Sequence, residues 1–89
     1  MTITTSTGKT FDVNWAWAPR NTNRLRIEMH DTRTIKEIAE DFDGLESISR
    51  KSETEGDDVY MGYKKLTGVN QDTVKGTVQL TLERSETDV

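Results

Sequence analysis

The sequence predicts an α+β domain: a mainly antiparallel sheet of about six strands in the order β-β-β-α-β-β-β, with one helix packed on one face. Three observations predict it. Only the stretch 34–44, TIKEIAEDFDG, carries a helical period. The stretches 10–18, 24–30 and 73–83 alternate apolar with polar residues at the period of a strand. Turn-forming residues punctuate the chain between them. The pattern allows one curled sheet with the helix laid on it, or a small barrel plugged by the helix.

Residues 2–6 (TITTS) are β-branched and suit an edge strand. Thr7-Gly8-Lys9 is a turn signal, so this run and the next are spaced as a hairpin. In 10–18 (TFDVNWAWA), strict alternation sends Phe11, Val13, Trp15 and Trp17 one way and Asp12, Asn14, Ala16 and Ala18 the other. With only six aromatic residues in the chain, Trp15 and Trp17 are expected to form the main core mass under the helix. The other reading makes them an exposed aromatic strip, since Trp is enriched at interface anchors.

Pro19 ends that strand, and Arg20 to Asn23 is a polar loop. In 24–30 (RLRIEMH), Leu25, Ile27 and Met29 face inward, while Arg24, Arg26, Glu28 and His30 face outward. In the helix, Ile35, Ile38, Ala39 and Phe42 share one side. Thr34 and Glu37 have capping-box spacing, with Glu37 expected to reach back to the Thr34 amide. Gly44 suits the left-handed stop. Residues 45–51 form a short strand with Ile48 facing the core, and 52–58 (SETEGDD) a polar loop. A strand at 59–66 with Gly62 as a central irregularity, a loop at 67–72 (TGVNQD) and a closing strand at 73–83 complete the domain. One domain is expected over 1–84, with 85–89 a frayed tail.

Composition narrows the function. Hydrophobic residues make 31% and charged residues another 31%. The core is expected to be thin, and self-association or a protein partner to add stability. A net charge of −4 argues against a binder driven by phosphate contacts, although Arg20, Arg24, Arg26 and Arg33 lie close together in sequence. The absence of cysteine excludes disulfides, thiolate metal sites and cysteine nucleophiles. The opening MTITTSTGK has no apolar run of signal-peptide length, and no run is long enough to span a bilayer; an intracellular location is the expectation.

No catalytic motif stands out. His30 is the single histidine, without the neighbours a zinc site needs. No Ser sits in a nucleophile elbow, and no glycine loop has phosphate-binding spacing. The acidic groups Glu40, Asp41, Asp43 and Asp57, Asp58 lack calcium-loop spacing. Glu40, Asp41 and Asp43 crowd the helix C-terminus, where each carboxylate is disfavoured by roughly 0.3–1 kcal/mol. Solvent or a nearby Arg50 or Lys51 offsets that, or the group faces a basic partner. The expectation is a protein with no enzymatic activity, cofactor or metal.

The segments GKTFDVNWAWAP, IAEDFDGLESI and YMGYKKL resemble small uncharacterised prophage-encoded proteins of Firmicutes and other gut bacteria. The resemblance covers most of the chain and carries no active-site residues. It implies a phage or mobile-element protein, such as a virion or tail-assembly component. The leading functional expectation is therefore a structural or assembly protein working through protein–protein contacts at strand edges and a Thr-rich surface. The alternative is an acidic inhibitor of a host nuclease or defence system, with Glu40, Asp41, Asp43, Asp57 and Asp58 as its contacts.

Overall fold

A computed structural model describes residues 1–19 and 22–84 and contains seven strands and one helix. In chain order these are β1 (Thr2–Thr5), β2 (Thr10–Trp17), β3 (Arg24–His30), α1 (Ile35–Phe42), β4 (Ser47–Lys51), β5 (Asp58–Met61), β6 (Lys65–Asp72) and β7 (Thr77–Glu83). Arg20 and the tail expected to fray at 85–89 lie outside the described residues. All strand pairs are antiparallel, in the order β5-β4-β1-β2-β3-β7-β6. The expected α+β class holds, with one more strand than the sequence predicts.

The sheet curls without closing. β5 and β6 are its two end strands, yet only residues 62–64 join them in sequence. Such a link reaches roughly 14 Å at most, so the two ends of the sheet must approach each other. The turn is made by Gly62 at φ +81, whose amide donates to the Glu46 carbonyl at 2.9 Å. Gly62 therefore ends β5, where the sequence reading has it inside one continuous strand. α1 lies along β6: Gln71 donates to the Arg33 carbonyl near one end, and Gly44 donates to the Lys64 carbonyl near the other.

Helix α1 begins and ends as its residues dictate. The Thr34 hydroxyl oxygen accepts from the Glu37 amide at 3.3 Å. Glu37 does not reach back to the Thr34 amide; its carboxylate accepts the Thr34 hydroxyl proton at 2.9 Å. Asp43 caps the C-terminus, and Gly44 follows at φ +74. Ile38 and Phe42 are fully buried, but Ile35 at the first turn stands largely in solvent. The apolar stripe is thus narrower than its sequence period.

Inside the curl, Leu25, Ile27 and Met29 of β3 lie opposite Leu82, Leu80 and Val78 of β7. All six are buried, as the alternation predicts. Ile3, Ile48 and Leu45 complete one aliphatic core with Ile38 and Phe42. Each such side chain contributes about 1.5–3 kcal/mol when fully buried. β1 is not an edge strand: it lies between β2 and β4, with Ile3 and Thr5 inward. Backbone pairing on both sides stabilises it despite its small side chains.

The tryptophans are not the core. Val13 pairs with Met29, but Trp15 pairs with Glu28, so a bulge falls at Asn14. One extra residue reverses the alternation of everything after it. Ala16 becomes buried opposite Ile27, and Trp15 and Trp17 turn to the outer face. Trp17 is 56% exposed and Trp15 is half-buried. The expectation of a tryptophan core under the helix is overturned: Phe42, packed on Phe11 at 5.0 Å between ring centroids, takes that place.

The expected loop at 67–72 is also corrected. It is most of β6, paired along β7 from Lys65↔Glu83 to Asp72↔Thr77. Strand pairing outweighs the low strand propensity of Gly68, Asn70 and Asp72. The closing strand accordingly starts at Thr77, after a turn over 73–76.

Candidate functional site

The bulge at Asn14 builds a surface on the outer face of β2, β3 and β7. Trp17 lies directly across from Arg26, and Trp15 across from Glu28. Glu28 accepts from Gln79 Nε2 at 3.2 Å and from Asn14 Nδ2 at 3.1 Å. These donors, Gln79 first, hold its carboxyl below the usual carboxylate range. Gln79 and Asn14 thus hold the Glu28 carboxylate on the strand position across from Trp15.

An open groove of about 540 Å³ runs along this surface, lined by Trp15, Ala16, Trp17, Arg26, Arg50, Glu55 and Gln79. Arg50 forms its fixed wall. Its Nη1 donates to Tyr60 Oη at 2.7 Å and to the Ala16 carbonyl at 3.3 Å, while Nη2 donates to the Glu55 carbonyl at 3.4 Å. Arg50 therefore ties β4, β2 and the 52–57 loop together. Burial raises the Tyr60 hydroxyl above the usual phenol range.

Arg26 is different. Among the described residues its guanidinium has no hydrogen-bond or ion-pair partner, and neither has the Glu55 carboxylate. The two charges line one groove without pairing, with an exposed indole beside them. An aromatic face, a free cation and a free anion make recognition chemistry: apolar contact plus charge complementarity.

A second apolar surface lies on β5. This end strand leaves Val59 54% and Met61 61% exposed on the face opposite the buried Tyr60.

The acidic residues singled out in the sequence divide between two places and two roles. Glu40 and Asp43 stand exposed at the end of α1. Asp57 and Asp58 are exposed at the far end of β4, roughly 13 Å along that strand from its start. Asp57 accepts from the Ser52 amide at 3.3 Å, and Asp58 from the Val59 amide at 2.8 Å. Asp41 is only 7% exposed. It accepts from Lys9 Nζ and, at 2.6 Å, from Arg33 Nη1; Arg33 also grips Asp31 at 2.8 Å. Lys9 and Arg33 offset this charge, in place of the expected Arg50 or Lys51. Asp41 thus pins α1 to the β1–β2 turn and to the segment before the helix. The Lys9 hydrogen bond, with Arg33 adding to it, holds the Asp41 carboxyl below its usual range. Arg33 does the same to Asp31, and its own guanidinium is held still more firmly protonated.

The groove is not legible from strict alternation, which places Trp15 and Trp17 in the core. The available signal was Asn14, a poor strand former in the middle of an alternating run. His30 lies on the outer face as its position predicts.

Among the described residues no three acidic or histidine side chains are grouped to hold a metal ion, and no helix is long and apolar enough to cross a membrane. No protein-family model, no curated protein and no solved structure matches the chain.

Proposed function

We propose that this protein is a non-enzymatic structural or assembly component of a phage or prophage particle, working through protein–protein contacts. The observation that carries the contact mode is the exposure of Trp17, Val59 and Met61 on a domain with few large apolar side chains. Adjoining exposed apolar groups, such as Val59 and Met61 on one face of β5, make a surface suited to a partner. An end strand such as β5 can also add a foreign strand through its unpaired backbone groups. What supports the particle setting is the likeness of GKTFDVNWAWAP, IAEDFDGLESI and YMGYKKL to prophage-encoded proteins.

The test is mass spectrometry of purified particles after induction of a lysogen carrying the gene. Stoichiometric presence in particles or in an assembly intermediate is the expected result. Absence from both contradicts the reading.

A second reading, an acidic protein-directed inhibitor, draws on the 52–57 loop and its neighbour. Glu53, Glu55, Asp57 and Asp58 make no ion pair among the described residues. Asp41 contributes nothing to such a surface, because it is buried and already paired. Capture of a host nuclease that is released as salt rises would favour this reading over assembly.

A further inference from the structure

We infer that the groove bearing Trp17, Arg26 and Glu55 is a self-docking surface, covered by a second copy of this chain across a two-fold axis. The inference rests on the contact-protein reading and goes beyond it by naming the occupant. A two-fold interface must be self-complementary, since each patch meets its own copy. This patch has the required composition. One unpaired guanidinium and one unpaired carboxylate line the same groove, held on different elements: Arg26 on β3 and Glu55 in the loop after β4. They do not neutralise each other within the chain. Turned through a two-fold, each Arg26 meets Glu55 of the second copy, and the two exposed Trp17 indoles cover one another.

The supports are rigid where they need to be. Arg50 anchors the Glu55 backbone, and Gln79 and Asn14 hold Glu28 across from Trp15. A free phosphate or nucleotide fits less well. Glu55 stands in the groove and Glu28 beside it, and both repel a doubly charged group. The outer face of β2, β3 and β7 measures roughly 23 Å by 14 Å, small for a stable interface. The dimer is accordingly reversible and concentration-dependent.

Sedimentation velocity of the full chain over a wide concentration range tests this. The expected result is a monomer–dimer equilibrium that weakens as salt rises. Trp17→Ala, Arg26→Glu and Glu55→Arg should each move the midpoint at least about ten-fold to higher concentration, the range typical of central interface residues. Circular dichroism checks that each variant keeps its fold. The double variant Arg26→Glu with Glu55→Arg should restore dimerisation to within about three-fold of the parent, the tolerance set by imperfect additivity. A chain that stays monomeric throughout overturns the inference, as does a double variant that fails to recover. If the monomer's Trp17 emission instead responds to the blocked peptide acetyl-Asp-Leu-Asp-amide, the groove belongs to a foreign acidic segment and self-docking is wrong. A monomeric chain found in particles would leave the assembly reading standing without this inference; a dimer absent from particles would do the reverse.

Discussion

Phe42→Ala should destabilise the domain by about 3–5 kcal/mol, the cost of emptying a buried phenylalanine site. Phe42 is fully buried on α1, and its ring meets Phe11 of β2 at 5.0 Å between centroids. Among the described residues it is the largest fully buried side chain, and with Ile38 it ties the helix to the core. A domain of this length has a total stability of roughly 4–13 kcal/mol. The loss therefore takes a large share of the whole, and at the lower end leaves the variant mostly unfolded at 25 °C. Urea unfolding followed by circular dichroism measures it. Phe42→Leu keeps most of the buried volume and should cost under about 1.5 kcal/mol plus any loss of the ring pair. Equal midpoints for Phe42→Ala and the parent would contradict the assignment of Phe42 to the core.

Asp41→Asn should cost about 2 kcal/mol, in the range for hydrogen bonds made to a charged group. The carboxylate is nearly buried and accepts hydrogen bonds from two cations, Lys9 and Arg33. Both cations stay partly in solvent and rehydrate when the charge is lost, which keeps the cost below that of a stranded buried ion. The substitution also changes the acid response. The Asp41 and Asp31 carboxyls are held below their usual range in the folded chain. Their stabilisation is fully present above the ordinary carboxylate pKa, about 4, and is lost as pH falls from there through the depressed folded values. In that window the unfolded chain binds more protons than the folded one, so stability rises with pH. Urea midpoints measured through the acid range should fall more steeply for the parent than for Asp41→Asn, which loses the Asp41 contribution and keeps those of Asp31 and Glu28. Parallel slopes would show that Asp41 is not held by Lys9 and Arg33.

The parts of the fold legible in the sequence are those fixed by periodicity. β3 and β7 alternate without interruption, and their six inward residues are the ones buried opposite each other. Thr34 and Gly44 bracket α1 because local hydrogen bonding and backbone conformation decide a helix end. What escaped is decided by pairing partners distant in sequence. The bulge at Asn14 exists only against β3, and a single inserted residue exchanges the faces of Ala16 and both tryptophans. β6 reads as a loop because Gly68, Asn70 and Asp72 have little strand propensity of their own. β7 supplies the backbone partners. The same holds for the surface. Arg26 and Glu28 read correctly as outward-facing, but their companionship with Trp17 and Trp15 depends on the bulge. Asp41 reads as one of several solvated carboxylates, since its contact with Lys9 spans 32 positions of sequence.

The turn of the tryptophans out of the core, which creates the proposed contact surface, is tested most directly by fluorescence of the single-tryptophan variant Trp15→Phe in dilute solution. The expected result is water-like, red-shifted emission from Trp17 that acrylamide and iodide quench from the first addition. Blue-shifted emission that resists both quenchers until the chain is unfolded would place Trp17 inside the protein and contradict the surface described.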